Sequence, residues 1–232
     1  MGEYRTIKGK DGSFQAYVAT PAGSAKAGAV VVLQEIFGVN AVMRGVTDGL
    51  AAEGFLAICP DLFWRIKPGI DITDQTPEEW KQAFDLFGKF DAEAGVEDIK
   101  ATIAAIRSDP GCNGKVGAVG YCLGGKLAFL SASRTDSDAS VGYYGVGLEN
   151  LLDEAANIKK PLMLHIADVD SFQTPAAREA IDAGLKGHAQ VTVHHYPGRD
   201  HAFARPGGEH YDAGDAKLAN NRTRAFFKQN LA

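Results

Sequence analysis

The sequence predicts an α/β fold with a doubly wound, mostly parallel sheet and helices on both faces. Short apolar runs alternate with stretches of helical periodicity along most of the chain. The run at residues 29–33 is continuous and rich in valine, as expected of a parallel strand that is buried on both faces. The connections between these segments are short, which favours one sheet wound in both directions.

The N-terminal half of the chain contains strand and helix signals in alternation. A strand is predicted over residues 14–19, and it is followed by a turn region rich in Pro, Gly, Ala and Ser and by the apolar run at residues 29–33. Helical periodicity covers residues 41–53, and a short strand over residues 55–59 ends at Pro60. Two further helices are predicted near residues 77–90 and 92–108.

The C-terminal half continues the alternation. An apolar strand at residues 116–120 runs directly into a glycine-rich turn at residues 121–125 and a helix over residues 126–133. The remaining strands are predicted over residues 139–144, 161–166 and 190–196, and the remaining helices near residues 148–156, 174–186 and 211–230. No internal repeat, low-complexity tract or long linker interrupts the pattern, so residues 1–232 are predicted to form a single domain.

Charge, apolar run length and cysteine spacing exclude several classes of protein. The formal net charge of −5 comes from scattered residues that form no basic stripe, so we expect no nucleic-acid partner. The apolar runs are too short to span a bilayer and no signal-peptide core is evident, so we expect no membrane association and a cytoplasmic location. Cys59, Cys112 and Cys122 match neither a zinc ligand set nor a CxxC motif, and we expect free thiols and no metal.

The glycine-rich turn after the strand at residues 116–120 carries a candidate nucleophile. Gly120-Tyr121-Cys122-Leu123-Gly124 is the nucleophile-elbow pattern with cysteine in place of serine. Its glycines allow a sharp turn, and the N-terminus of a following helix lowers the pKa of a thiol. The alternative is that Cys122 is only a small residue packed into a tight turn.

Two later loops favour the catalytic interpretation of Cys122. In the α/β-hydrolase fold the nucleophile is followed along the chain by an acid and then by a histidine, each in a loop after a strand. Asp170 and His201 obey this order: His201 would take the thiol proton, and Asp170 would orient the imidazole. Asp168 and Asp200 are rival carboxylates, and either of them would otherwise serve only in a turn or cap.

The other histidines fit structural positions better. His194 and His195 are adjacent in a predicted strand, so they point to opposite faces and do not chelate one metal. His165 is predicted to lie in the core, and His188 and His210 in or beside surface helices.

The loop after the strand at residues 29–33 is predicted to complete the site. Acyl transfer needs an oxyanion hole, for which the backbone N–H groups of Leu123 and Ile36 are the candidates. Glu35 in the same loop would place a carboxylate near Cys122, where it would accept the thiol proton or a hydrogen bond and hold the thiol unreactive until substrate arrives. A salt bridge or a cap is the alternative role for Glu35.

Five stretches spread along nearly the whole chain match one known family. They are Gln34-Glu35-Ile36-Phe37-Gly38, Pro60-Asp61-Leu62, residues 117–129 with Tyr121-Cys122-Leu123-Gly124-Gly125, Val141-Gly142-Tyr143-Tyr144-Gly145, and His201-Ala202-Phe203. With them the chain resembles the dienelactone hydrolases, or carboxymethylenebutenolidases, of the α/β-hydrolase superfamily. The cysteine elbow together with the early glutamate is specific, because most α/β-hydrolases use serine and lack that glutamate.

The resemblance implies the α/β-hydrolase fold, a triad of Cys122, His201 and Asp170, and Glu35 as a gate on the thiol. It also implies a cofactor-free hydrolysis of dienelactone to maleylacetate, through a thioacyl-enzyme, in a monomeric cytoplasmic enzyme that acts on a small ester or lactone. The alternatives are hydrolysis of a different small ester, a non-catalytic ligand-binding protein on the same fold, and a redox-sensing role for Cys122.

The resemblance further implies that two arginines clamp a substrate carboxylate. Arg205 matches one of them, but Trp80 and Lys81 stand where the other is expected, and Phe84 stands where a tyrosine is expected. These residues and Tyr144 are the predicted substrate contacts. Because an indole or an ammonium does not reproduce a planar, bidentate guanidinium, the sequence predicts hydrolysis of an ester or lactone more directly than it predicts dienelactone.

Overall fold

A computed structural model describes residues 2–23 and 25–232; Met1 and Ser24, the latter in the predicted turn region, lie outside the described residues. Its strands are β1 (Glu3–Lys8), β2 (Ser13–Ala19), β3 (Ala27–Leu33), β4 (Leu56–Pro60), β5 (Cys112–Tyr121), β6 (Ala139–Tyr143), β7 (Leu162–Ala167) and β8 (Val191–Tyr196). Its α-helices are α1 (Ala41–Ala52), α2 (Pro77–Lys89), α3 (Ala92–Arg107), α4 (Leu123–Arg134), α5 (Pro175–Leu185) and α6 (Ala213–Leu231).

The strands form one eight-stranded sheet in the order β1-β2-β4-β3-β5-β6-β7-β8. The chain winds from β3 to β4 in one direction and then from β5 to β8 in the other, which makes the sheet doubly wound. The six neighbouring strands β4-β3-β5-β6-β7-β8 pair in parallel. Strand β2 pairs antiparallel with both β1 and β4. The predicted doubly wound, mostly parallel sheet is therefore confirmed.

Helices cover both faces of this sheet, as β5 illustrates. A Cβ atom built at Gly117 would meet Phe227 and Leu231 of α6, whereas one built at Gly120 would meet the Gly124 backbone of α4. Successive strand residues point to opposite faces, so positions 117 and 120 lie on opposite sides of the sheet. Helices α4 and α6 therefore cover different faces of the central strands.

Two features of the fold depart from the sequence prediction. Strand β1 was not predicted because it lies at the sheet edge and its side chains, apart from the buried Ile7, are largely exposed, so it has no apolar run. The prediction of a single helix over residues 148–156 is wrong. Two 3-10 helices occupy the segment, Leu148–Asn150 and Leu152–Asn157, because the backbone at Leu151 (φ −118°) leaves helical geometry between them.

The first turn of α2 fixes one wall of the region above the sheet. Thr76 caps the helix by accepting a hydrogen bond from the Glu79 N–H (3.2 Å), and the Thr76 hydroxyl donates to the Glu79 carboxylate (3.0 Å). Pro77 occupies the first helical position, where its missing N–H costs nothing. Trp80 and Phe84, one turn apart, then stack on the same face of α2 with ring centroids 5.5 Å apart.

The described residues contain no helix that is both long and apolar enough to cross a membrane. Cys59, Cys112 and Cys122 are all free and buried. No group of three or more potential metal-binding side chains occurs among residues 2–23 and 25–232.

Candidate active site

Cys122 lies in the sharp turn between the end of β5 and the start of α4. Its backbone has φ +56° and ψ −115°, a conformation that non-glycine residues rarely adopt. The turn is so tight that a Cβ atom at Gly120 would lie 1.9 Å from the Gly124 carbonyl oxygen, and one at Gly124 would lie 2.1 Å from the Leu33 carbonyl oxygen. Both glycines are therefore required for β5 to run directly into α4.

Backbone strain of this kind is concentrated around the cysteine. Within the part of the chain that the structure describes, the non-glycine residues with positive φ are Cys122, Tyr144 (+36°) and Ala202 (+63°). Tyr144 packs against the imidazole of His201, and Ala202 directly follows that histidine. Such strain persists only where surrounding contacts maintain it, and it is typical of functional sites.

His201 and Asp170 form a buried pair beside Cys122. The His201 Nδ1 atom lies 2.9 Å from the Asp170 Oδ2 atom, and the two side chains are 4% and 2% exposed. The other ring nitrogen, Nε2, is buried and has no hydrogen-bond partner among the described residues. Since Cys122 and His201 line the same cavity, Nε2 is the nitrogen left available to react with the thiol or with substrate.

The structure separates Asp170 from its rivals. Asp168 instead pairs with the half-exposed His195 (2.7 Å). Asp200 accepts hydrogen bonds from the backbone N–H groups of Ser171 (2.7 Å) and His201 (2.6 Å), which anchors the two loops to each other. Asp170 alone of the three contacts the His201 ring within the described residues.

The charges around His201 favour its protonated form. Burial lowers the pKa of His201, but the charge on Cys122 and the hydrogen bond and charge of Asp170 outweigh it and raise the pKa to about 10. An ordinary histidine titrates near 6.5. Because the folded-state pKa is the higher one, this proton stabilises the fold fully below pH 6.5, and the contribution is lost as the pH rises through about 10.

We therefore expect the carbon-bound imidazole protons of His201 to titrate in NMR spectra with a midpoint near pH 10. Cys122→Ala removes one of the charges that raise this pKa, whereas burial, which lowers it, remains. The midpoint should therefore move to lower pH. A midpoint at or below 6.5 that is unaffected by Cys122→Ala would contradict this electrostatic account.

The predicted oxyanion-hole donors lie on the two loops that meet at the cavity. Ile36 follows β3, and the loop is held in place because the Gln34 side chain accepts a hydrogen bond from the Leu62 N–H (3.0 Å). Leu123 is the first residue of α4, where a backbone N–H has no intrahelical acceptor. Neither the Ile36 nor the Leu123 N–H donates to another of the described residues.

Among the described residues, the Glu35 carboxylate makes no hydrogen bond to the Cys122 thiol; it forms a buried ion pair with Arg205. The Arg205 Nε and Nη2 atoms donate to the two Glu35 carboxylate oxygens at 2.8 and 3.0 Å, a bidentate arrangement. The remaining guanidinium nitrogen, Nη1, donates to Asp74 at 2.6 Å, and the guanidinium lies 4.9 Å from the centroid of the Phe37 ring. One buried cation is thus shared between two carboxylates.

The cavity above Cys122 is narrow, with a volume of about 40 Å³, and is lined mainly by apolar side chains. Its lining residues are Ile36, Phe37, Trp80, Phe84, Phe87, Cys122, Val146, Phe172, His201 and Arg205. It opens into a wider, more polar depression that is bordered by Asp74, Gln75 and Glu209. The depression has a volume of about 540 Å³, so the two together have room for a small ester or lactone.

Residues 14–231 match the model of the dienelactone hydrolase family. The chain belongs to the dienelactone hydrolase family. It is 53% identical to a provisionally named carboxymethylenebutenolidase of Azospirillum brasilense over 96% of both chains. It is 44% identical to a carboxymethylenebutenolidase of Pseudomonas putida over 95% of this chain and 94% of that one.

A solved structure leads to the same family. The crystal structure of a provisionally named dienelactone hydrolase of Klebsiella pneumoniae superimposes with a TM-score of 0.86 at 27% identity, over 99% of this chain and 98% of that one. The α/β-hydrolase fold and the family resemblance predicted from the sequence are confirmed. The protein is a hydrolase of the dienelactone hydrolase type.

The predicted substrate contacts of this dienelactone hydrolase-family member separate into two groups. Trp80, Phe84 and Arg205 do line the cavity. Lys81 does not: it is exposed, because it follows Trp80 by one position and so lies about 100° around α2 from that face. Tyr144 also lies away from the lining; it packs edge-on against His201 with ring centroids 5.1 Å apart, and its hydroxyl has no hydrogen-bond partner among the described residues.

Sequence reasoning missed several residues of the cavity. Phe172 lies only two positions after Asp170, so its place in the same loop was the signal that could have found it. Phe87 lies one turn from Phe84 on α2, at a spacing that places both on one face. Asp74 belongs to a polar segment before α2 that contains no motif, and its contact with Arg205 joins positions far apart in the chain.

Proposed function

We propose that this protein hydrolyses a small ester or lactone through a covalent thioacyl-enzyme on Cys122. The observation that carries the proposal is that an elbow cysteine shares a cavity with a histidine whose Nδ1 is held by a buried carboxylate. A nucleophile, a base and an orienting acid in this arrangement are the constellation that acyl transfer requires.

Acylation uses the charges already present around His201. The Cys122 Sγ atom attacks the substrate carbonyl carbon, and the oxygen that becomes negative accepts hydrogen bonds from the Ile36 and Leu123 N–H groups. The tetrahedral intermediate then breaks its bond to the alkoxide, which takes a proton from the His201 imidazolium. In a lactone the resulting alcohol remains attached to the acyl group.

Deacylation reverses the roles. The now neutral His201 accepts a proton from water at Nε2, and the water oxygen attacks the thioester carbon. The Cys122 thiolate leaves, the carboxylic acid product is released, and the imidazolium is restored for the next turnover. Asp170 is needed in both steps because its acceptance of the Nδ1 proton keeps Nε2 directed at the reacting atoms.

Glu35 would control the state of the thiol by changing partners. Both of its carboxylate oxygens are occupied by Arg205, so Glu35 accepts a proton or hydrogen bond from Cys122 only after release from that guanidinium. We propose that a substrate entering beside Arg205 causes this release. This reverses the order of the gate proposed from the sequence, in which Glu35 holds the thiol before substrate arrives: with Glu35 on Arg205 at rest, it would reach Cys122 only once substrate is present.

The substrate most directly indicated by the relatives is dienelactone, since the proteins of Azospirillum brasilense and Pseudomonas putida carry the name carboxymethylenebutenolidase. We propose hydrolysis of dienelactone to maleylacetate, without a cofactor, as the reference reaction. Hydrolysis of a different small ester is favoured by one observation, the aromatic wall formed by Trp80, Phe84 and Phe172 around the neutralised Arg205.

The covalent intermediate provides the test. When the protein is mixed with 4-nitrophenyl butyrate and quenched in acid within milliseconds to seconds, mass spectrometry should detect one butyryl group on the peptide that contains Cys122. Cys112, the first residue of the strand β5 that ends just before Cys122, should remain unmodified. Turnover without any acyl group on Cys122, or an acyl group confined to Cys59 or Cys112, would refute the thioacyl mechanism.

A further inference from the structure

Arg205 is the one arginine or lysine among the described residues that line the cavity and its polar mouth. Its side chain is only 6% exposed, and all three of its guanidinium nitrogens already donate to carboxylates. Glu35 holds two of the nitrogens and Asp74 holds the third. Among the described residues, the cavity therefore presents no unpaired arginine or lysine to an incoming substrate.

Asp74 is fixed in this position by neighbours that are independent of Arg205. Its Oδ1 atom accepts a hydrogen bond from the Gln75 side chain at 2.6 Å, while Oδ2 accepts the bond from Arg205. Its backbone carbonyl accepts a hydrogen bond from the Trp80 indole N–H at 3.0 Å. Asp74, whose side chain is 11% exposed, is thus tied through its backbone to the same helix that supplies the aromatic wall.

The charges of this cluster do not cancel. Burial raises the pKa of Asp74, but hydrogen bonds from Gln75 and Arg205 outweigh it and hold the pKa below its ordinary value, so Asp74 is ionised at neutral pH. One guanidinium with two carboxylates then leaves an excess of negative charge at the polar end of the cavity. A substrate carboxylate placed there loses its hydration, and even where it displaces Glu35 from Arg205 it still meets Asp74 on the same guanidinium as a like charge.

The rest of the wall favours a different kind of group. Trp80 and Phe84 stack, and Phe84 continues to Phe172 with ring centroids 6.3 Å apart, so the aromatic rings form a continuous surface beside Cys122. Flat, unsaturated, uncharged groups bury apolar area against such rings without losing a charge's hydration.

We propose that Asp74 is a specificity-determining residue that makes this cavity favour uncharged, flat acyl groups over carboxylate-bearing ones. The inference depends on the proposed function, because the acyl group concerned is the one transferred to Cys122. It predicts that dienelactone, which carries a carboxylate, is hydrolysed less efficiently than its uncharged primary amide.

The test compares dienelactone with its primary amide in the wild-type protein, Asp74→Asn and Asp71→Asn. Asp71 is a matched control: it lies three residues earlier, pairs with Arg44 at 2.7 Å, is half exposed and does not line the cavity. Asp74→Asn should raise the ratio of kcat/KM for the carboxylate to that for the amide at least tenfold, mainly through KM. Asp71→Asn, which changes the net charge equally, should leave the ratio unchanged.

A binding measurement separates failure of this inference from failure of the proposed function. Cinnamate and cinnamamide are flat, unreactive ligands that differ in charge. Their binding is measured by tryptophan fluorescence, to which Trp80 in the cavity wall and Trp64 outside it both contribute. If the wild-type protein hydrolyses neither lactone nor 4-nitrophenyl butyrate, the proposed function fails, and a tenfold shift of binding towards cinnamate in Asp74→Asn still supports the role of Asp74. Equal ratios in the wild-type protein and Asp74→Asn, in hydrolysis or in binding, would overturn it.

Discussion

Cys122→Ala is expected to lower kcat by about 10⁴-fold or more, because removal of a covalent nucleophile leaves only binding and oxyanion stabilisation. The fold should be retained, since alanine is smaller than cysteine and keeps the Cβ atom that the turn already accommodates. The measurement is the steady-state rate of 4-nitrophenol release from 4-nitrophenyl butyrate, repeated with dienelactone.

Cys112→Ala is the control for this substitution. Cys112 is also free and buried, and it is the first residue of β5. Cys122 follows the last residue of that strand, so the two cysteines lie at opposite ends of β5. Its loss should cost some stability and leave kcat within about twofold. Equal losses in the two variants, or full activity in Cys122→Ala, would remove Cys122 from the mechanism.

The parts of the fold that sequence predicts well are those in which side-chain pattern and tertiary burial agree. Strand β3 is completely buried over Gly28–Leu33, and its uninterrupted apolar run follows directly from that environment. Strand β1 lies at the edge with mostly exposed residues, so pairing with β2 stabilises it more than an apolar pattern does. Apolar spacing alone could not reveal the break at Leu151, because that spacing continues through it.

The candidate site divides in a similar way. Cys122, Asp170 and His201 could be predicted because a parallel sheet brings the ends of its strands to one edge, whatever the distance along the chain. The partners of Arg205 could not be predicted, since its contacts with Glu35 and Asp74 join three segments whose relative positions depend on side-chain packing. A resemblance that identifies Arg205 as a carboxylate clamp does not reveal that two carboxylates of this chain already occupy it.

The electrostatics of the site therefore differ on its two sides. On one side, Cys122 and Asp170 raise the pKa of His201 to about 10, so in the proposed mechanism the imidazole enters catalysis with its proton in place. On the other side, Arg205 is neutralised by Glu35 and Asp74. In the proposed function the first arrangement serves the chemistry of any ester and the second discriminates among substrates, so we expect the two to respond independently to mutation.

Asp170→Asn is expected to lower kcat by about 10³- to 10⁴-fold. The amide nitrogen of asparagine donates where a carboxylate accepts, which favours the tautomer with the proton on Nε2, and this nitrogen then cannot take a proton from the thiol or from water. The pKa of His201 should fall as well, because Asp170 contributes both a hydrogen bond and a charge to its elevation. Enzyme kinetics and the NMR titration of His201 measure the two effects.

Asp168→Asn is the matched control because Asp168 lies two residues away in the same loop but pairs with the half-exposed His195. It should change kcat by less than about threefold and leave the titration of His201 in place, since exposed ion pairs contribute little. A large loss in Asp168→Asn with full activity in Asp170→Asn would assign the orienting carboxylate to the other residue. Equal losses would indicate that the loop's conformation, rather than the bond from His201 Nδ1 to Asp170, is what the reaction requires.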